Sequence, residues 1–168
     1  RRPPRSPLSS SSQRQMCIRD SPWFIVSSAP DTAKLIHLSR EVNDGKPKWV
    51  LQKIQGEVSD LDKCAKIALF GLAFKPDIDD LRESPALEIA REVAESETER
   101  DVLLVEPNIT ELPPQMKGFQ NVSLTTVDEA LEQAEVIALL VDHSQFKDIP
   151  AHLIEGKRVI DTKGVWRR

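Results

Sequence analysis

The 168-residue chain suits one domain of ordinary size, or a small domain with an appendage. A 39% hydrophobic and 30% charged composition permits a buried core, while no apolar run reaches the ~18 residues of a transmembrane helix. Two distant cysteines, Cys17 and Cys64, exclude a disulfide scaffold or a CxxC zinc site and imply a reduced, cytoplasmic setting, and the net charge of −4 argues against a general nucleic-acid binder.

Residues 1–21 read RRPPRSPLSSSSQRQMCIRDS and carry +4, which leaves −8 on the remainder. Arg, Pro and Ser with little to bury predict a disordered tail. The QRQMCIRDS tract reads as an artefact rather than a functional arm. Order is expected from Pro22. Asp31 is placed to cap a helix through TAKLIHLSREV. Asn43-Asp44-Gly45-Lys46-Pro47 interrupts it. A second helix, at about residues 48–61, carries Trp49, Val50, Ile54, Val58 and Leu61. Two helices alone cannot cover such faces, so both are expected to pack on something absent from this sequence or on a second copy.

The pattern changes at Lys66. KIALFGLAF is a short, nearly continuous apolar run and predicts a buried strand. The polar loop KPDIDDLRE follows. Ser84-Pro85 then opens a helix, with Ser as cap and Pro at the first position. Its apolar stripe is Ala86, Ile89, Ala90 and Val93. DVLLVEP predicts a second strand, residues 106–120 a loop or broken helix, and NVSLT a short strand. Thr126 and Glu129 form a capping box that opens the helix VDEALEQA. EVIALLV and RVIDT predict the last two strands. Strands alternating with helices imply an α/β fold, a parallel sheet covered on both faces.

In such a sheet, ligands sit beyond the carboxyl ends of the strands. The residues there are Phe74, Lys75, Asp77, Asp79, Asp80 and Arg82, then Glu106, then Asp142, His143 and Ser144, and finally Asp161, Lys163 and Trp166. An aromatic ring with three cations suits a base and a phosphate. A solvated loop with internal ion pairs is the plainer alternative. Asp142-His143-Ser144 holds triad residue types, but three consecutive residues cannot form triad geometry, so a turn is expected. Asp77, Asp79 and Asp80 lack the glycine and terminal glutamate of a calcium loop. No GxGxxG follows the first strand, because Gly71 stands alone, so the unit should not cradle a dinucleotide pyrophosphate in the usual way.

GLAFKPDIDDLRESPALEIA resembles the start of the C-terminal domain in the UDP-glucose/GDP-mannose dehydrogenase family. VDHSQF, VIDTKGVW, PWFIV and REVNDGKP agree, so the resemblance covers about residues 22–168. Within the family, this combination of strings is most similar to the branch that oxidises UDP-N-acetylmannosamine to its uronate for surface polysaccharide. The resemblance implies a Rossmann-like C-terminal nucleotide-sugar (UDP)-binding domain at 63–168, preceded by central dimerisation helices at 22–62. It implies an NAD-dependent oxidation of a sugar C6 alcohol to a carboxylate, through a cysteine thiohemiacetal and thioester, in a homodimer. A thiolate suits that chemistry because it attacks an aldehyde readily.

By the same resemblance, Phe74 and Lys75 correspond to uridine-nucleotide contacts, and Lys163 to a substrate-binding cation. Arg82 corresponds to an arginine that reaches NAD. The family's NAD-binding domain, with its catalytic lysine and asparagine, is not matched, so NAD is expected to be held mainly outside this sequence. The chain alone is then expected to bind a uridine nucleotide without turnover. The family has a Gly-Gly-His-Cys-Ile-x-x-Asp-Pro string before PWF. Here RQMCIRDSPWF puts Cys17 at the family's spacing from Pro22, with Ile18 also matching, but the glycines, the His and the Asp are missing. Cys17 therefore reads as a free thiol in the tail, not a nucleophile. Two other readings stay open. One is a non-catalytic nucleotide-binding or dimerisation module. The other is a flavodoxin- or receiver-like domain, with Asp79 and Asp80 after a strand.

Overall fold

The computed structural model describes residues 22–166. The expected disordered tail, Cys17 included, lies outside them. The chain divides into two compact units, one ending at Lys46 and one running from Pro47. In the first, a helical stretch at 22–28 precedes helix α1, Lys34–Asp44. Asp31 does not cap α1. The N-cap position is Ala33, and no side chain bonds there. Helix α1 buries none of its residues, and Leu35, Leu38 and Val42 stand exposed along it. Trp23 meets the His37 ring edge-on at 5.5 Å.

Helix α2, Lys46–Val58, starts two residues earlier than the sequence suggests. Pro47 falls in its first turn, where a missing N–H costs nothing, so this proline opens a helix rather than only ending one. The expectation that both helices need an outside partner is corrected for α2. Val50, Ile54 and Val58, spaced by four, enter the core of the sheet. Burying each such side chain is worth about 1.5–3 kcal/mol. Arg100 donates to the carbonyls of Val58 and Leu61, both at 3.0 Å, and Arg158 to that of Glu57 at 2.6 Å. The carbonyls of Glu57 and Val58 are among those that the end of α2 leaves without helical partners, and that of Leu61 lies just beyond it.

Five strands follow: β1 Ile67–Phe70, β2 Val102–Val105, β3 Val122–Leu124, β4 Val136–Leu139 and β5 Arg158–Asp161. All pair in parallel, in the order β3-β2-β1-β4-β5. β1, β2 and β4 are buried on both faces, which explains their unbroken apolar runs. Side chains alternate across the sheet. Ile67 and Leu69 join Ile54, Ile89, Val93 and Leu104 on one face. Ala68 and Phe70 join Leu103, Leu131, Ile137 and Phe146 on the other.

Helix α3, Pro85–Ser96, begins as the sequence predicts. Ser84 accepts from the Leu87 N–H at 3.4 Å, and Pro85 opens the helix. Helix α4, Val127–Gln133, has the complete Thr126–Glu129 capping box. Helix α5, Ser144–Lys147, is a single turn that buries Phe146, where only a turn was expected. The order 3-2-1-4-5 is that of a doubly wound, Rossmann-like sheet. A receiver or flavodoxin sheet runs 2-1-3-4-5, so that alternative falls.

Candidate functional site at the switch point of the sheet

The chain reverses its direction of travel across the sheet between β1 and β4, where a doubly wound fold opens its ligand crevice. Here the crevice is closed at its base by main chain. Gly71 leaves β1 at φ +86°, and a Cβ on it would lie 2.5 Å from Val141 Cβ and 2.8 Å from Val141 O. Only glycine fits that approach.

Beside it, Glu106 leaves β2 and is buried, at 4% exposure. Its Oε2 accepts from the N–H groups of Leu72 at 2.8 Å and Ala73 at 3.0 Å. Its Oε1 accepts from the Asn108 N–H at 3.2 Å and from Asn108 Nδ2 at 3.1 Å. His143, which leaves β4, is 1% exposed. Its Nδ1 accepts from the Asp77 N–H at 3.0 Å, so the ring proton lies on Nε2, directed at Glu106 Oε2 3.0 Å away. Burial opposes the Glu106 charge, but the bonds from His143 and from the Leu72 and Asn108 N–H groups outweigh it, and the carboxyl is held below its usual range.

The loop between β1 and α3, residues 71–84, hangs on these anchors. Ser144 donates to the Asp77 carboxylate through its N–H at 2.8 Å and its hydroxyl at 2.6 Å. The hydroxyl and then the N–H hold that carboxyl below the ordinary aspartate range. Asp80 accepts from the Phe74 N–H at 2.8 Å through its carbonyl, and its carboxylate grips Arg82 by two bonds of 2.9 Å. Asp77 is thus engaged by the turn after β4 and Asp80 within the loop, on separate partners.

Of the sequence-predicted site residues, Phe74, Lys75 and Arg82 share this loop. Phe74 and Lys75 are half-buried, and Arg82 is exposed and held by Asp80. Lys163 stands apart, exposed on the turn after β5 with β4 between. Asp161 builds that turn by accepting from the N–H groups of Lys163, Gly164 and Trp166 at 3.0, 2.7 and 2.8 Å. Trp166 packs inward: its ring meets Phe70 edge-on at 5.7 Å, and its indole N–H donates to the Phe146 carbonyl at 2.8 Å. A cleft of 390 Å³ opens beside the ends of β2 and β3, lined by Pro107, Ile109, Thr110, Leu124 and Thr125 among others; Phe74, Lys75, Arg82 and Lys163 are not part of its lining.

The buried Glu106–His143 pair is what sequence reading missed. The signal was present in the topology. β2 and β4 both flank β1, so the polar residues that end them face each other across its exit. The pair also decides how this unit meets a dinucleotide. The Leu72 and Ala73 N–H groups are main-chain donors just past β1, on the side of the sheet where such a fold receives pyrophosphate, and the Glu106 carboxylate already takes them. The residues at the β1 exit therefore do not fit an NAD pyrophosphate.

The family model for the UDP-glucose/GDP-mannose dehydrogenase family, UDP binding domain, matches residues 68–168. The chain belongs to the UDP-glucose/GDP-mannose dehydrogenase family. Within it, the chain is 52% identical over 158 residues to a UDP-N-acetyl-D-mannosamine dehydrogenase of Yersinia pestis, covering 90% of this chain and 37% of that protein. It is 45% identical over 150 residues to an NDP-N-acetyl-D-galactosaminuronic acid dehydrogenase of Ralstonia solanacearum, covering 89% and 34%. Among solved structures, the UDP-N-acetyl-mannosamine dehydrogenase of S. aureus superposes with a TM-score of 0.65 at 31% identity, over 88% of this chain and 33% of that one. The chain thus spans little more than a third of the length of these relatives. Among the described residues, no helix is long and apolar enough to cross a membrane, and no group of three His, Cys, Asp or Glu is placed to hold a metal ion.

Proposed function

We propose that this chain supplies the nucleotide-sugar-binding part of an NAD-dependent 6-dehydrogenase that oxidises UDP-N-acetylmannosamine to UDP-N-acetylmannosaminuronate, for surface polysaccharide. The observation that carries the reading is the seat of the FKPDIDDLRESPA loop. It leaves β1 at the switch point, the ligand side of a doubly wound sheet. The match to the Yersinia pestis enzyme over 90% of the chain supports the choice of sugar.

In this reading Phe74 packs against the uridine, Lys75 neutralises the diphosphate, and Lys163 meets the sugar side from the turn after β5. Arg82 contacts NAD that is held mainly by another part of the protein, which agrees with the filled β1 exit. Two chains pair through α1, whose Leu35, Leu38 and Val42 stand exposed. A titration of UDP into the chain, followed by calorimetry, tests the site. Lys75→Ala should weaken binding about tenfold, the worth of one well-placed phosphate contact. Unchanged affinity would remove Lys75 from the site.

A non-catalytic nucleotide-binding module is favoured by one observation, the misfit of the β1 exit to an NAD pyrophosphate. UDP binding without reduction of NAD⁺ is expected of the purified chain on both readings; the module reading further expects no reduction by the full-length protein. Reduction of NAD⁺ by this chain would overturn it.

A further inference from the structure

His143 has no place in the nucleotide reading so far, yet the loop of that reading depends on it. Residues 71–84 include two non-glycine residues at positive φ, Asp77 at 58° and Glu83 at 55°. This backbone region is unfavourable for L-residues and persists where surrounding contacts impose it. For Asp77 those contacts come from the turn after β4. His143 Nδ1 takes its N–H at 3.0 Å, and Ser144 takes its carboxylate.

The other edge of the same imidazole faces Glu106, which holds the N–H groups of Leu72 and Ala73. One buried ring therefore holds the Asp77 end of the 72–77 segment directly and touches the acceptor of its other end, with Phe74 and Lys75 between the two anchors. Asn108 adds a second donor toward Nδ1 at 3.1 Å. That edge must accept, and the Nε2 edge must donate.

We propose that His143 is a positioning residue whose Nε2–H tautomer fixes residues 72–77, and thereby sets the affinity of Phe74 and Lys75 for a uridine nucleotide. The proposal rests on the nucleotide reading above. It goes further by giving the loop's geometry a cause outside the loop.

Two substitutions separate the two edges of the ring. The Asn amide overlays the Nδ1 edge, so His143→Asn keeps an acceptor for the Asp77 N–H. The Gln amide overlays the Nε2 edge, so His143→Gln keeps the donor to Glu106 and loses that acceptor. UDP affinity by calorimetry should fall about tenfold in His143→Gln, the worth of one hydrogen bond that orders the loop. It should fall no more than about threefold in His143→Asn. Asp77 amide hydrogen exchange should quicken in the Gln variant only. Equal losses in both variants that track their melting temperatures would make His143 a plain core residue and overturn the proposal.

The unmutated chain gives a check that survives misfolding of either variant. Nitrogen NMR at neutral pH should show the proton on Nε2 and a bare, accepting Nδ1. A proton on Nδ1 would overturn the proposal. If the unmutated chain does not bind UDP, the nucleotide reading falls. If the Asp77 amide is no faster in His143→Gln than in the unmutated chain, the positioning role falls on its own.

Discussion

Glu106 and His143 show how much at the residue scale escapes a linear reading. Both are charged or polar residue types just past a strand, and composition assigns such residues to a solvated rim. They are buried because three neighbouring strands end together and leave N–H groups that need an acceptor. The placement of Phe74, Lys75, Arg82 and Lys163 past strand ends was legible from the strand pattern, whereas the roles proposed for them came only through the resemblance. Trp166 was legible as present but not as inward-facing, since its direction is set by the Asp161 turn. Glu106 carries a pH consequence. Its folded carboxyl lies below its unfolded value of 4.5. The stabilisation is therefore present above that value and is lost as the pH falls through the lower, folded one. Urea midpoints should drop on acidification below about pH 4.5 in the parent chain. Glu106→Gln should be destabilised by about 2–3 kcal/mol at neutral pH, with the gap closing in acid. A gap that stays constant down to pH 3 would contradict this.

At the scale of elements, the starts of α3 and α4 were legible because their signals are local. A capping side chain and a first-turn proline act within four residues. The contrast between α1 and α2 was not legible. Both have an apolar arc at helical spacing, and periodicity tells that an arc will be covered but not by what. α2 proved to cover the sheet through Ile54, which is fully buried, whereas α1 leaves Leu38 at 55% exposure. The two helices should therefore respond differently to truncation. Ile54→Ala should cost about 2–5 kcal/mol by chemical denaturation, through lost transfer and a residual cavity. Leu38→Ala should stay within about 0.5 kcal/mol at a dilution where the chain is monomeric. Equal costs would mean that α2 is not part of the sheet's core.

At the scale of the whole molecule, the parallel α/β architecture was legible from alternation alone. Five short predicted strands, most of them separated by helical patterns, admit few other arrangements. The order of the strands was less so, since the 3-2-1-4-5 sequence depends on which edge each crossover takes. The exposed stripe on α1 makes a prediction at this scale. Sedimentation equilibrium at micromolar concentration should report a dimer, and Leu38→Asp should shift it to monomer while leaving the far-ultraviolet circular dichroism unchanged. A parent chain that sediments as a monomer would remove the pairing assigned to α1.

The carboxylate beneath the β1 exit changes how this unit can diversify. A fold that grips phosphate with its own backbone is committed to that anion, since main-chain amides cannot be swapped by a point mutation. In this chain an internal acid occupies those amides, and a visiting anion must be met by long side chains on surface turns. Exchanging Lys75 or Lys163 leaves the hydrogen-bonded floor untouched. If the lysines hold the ligand as proposed, a preference for one nucleotide or sugar over another could drift by single substitutions, without a toll on folding.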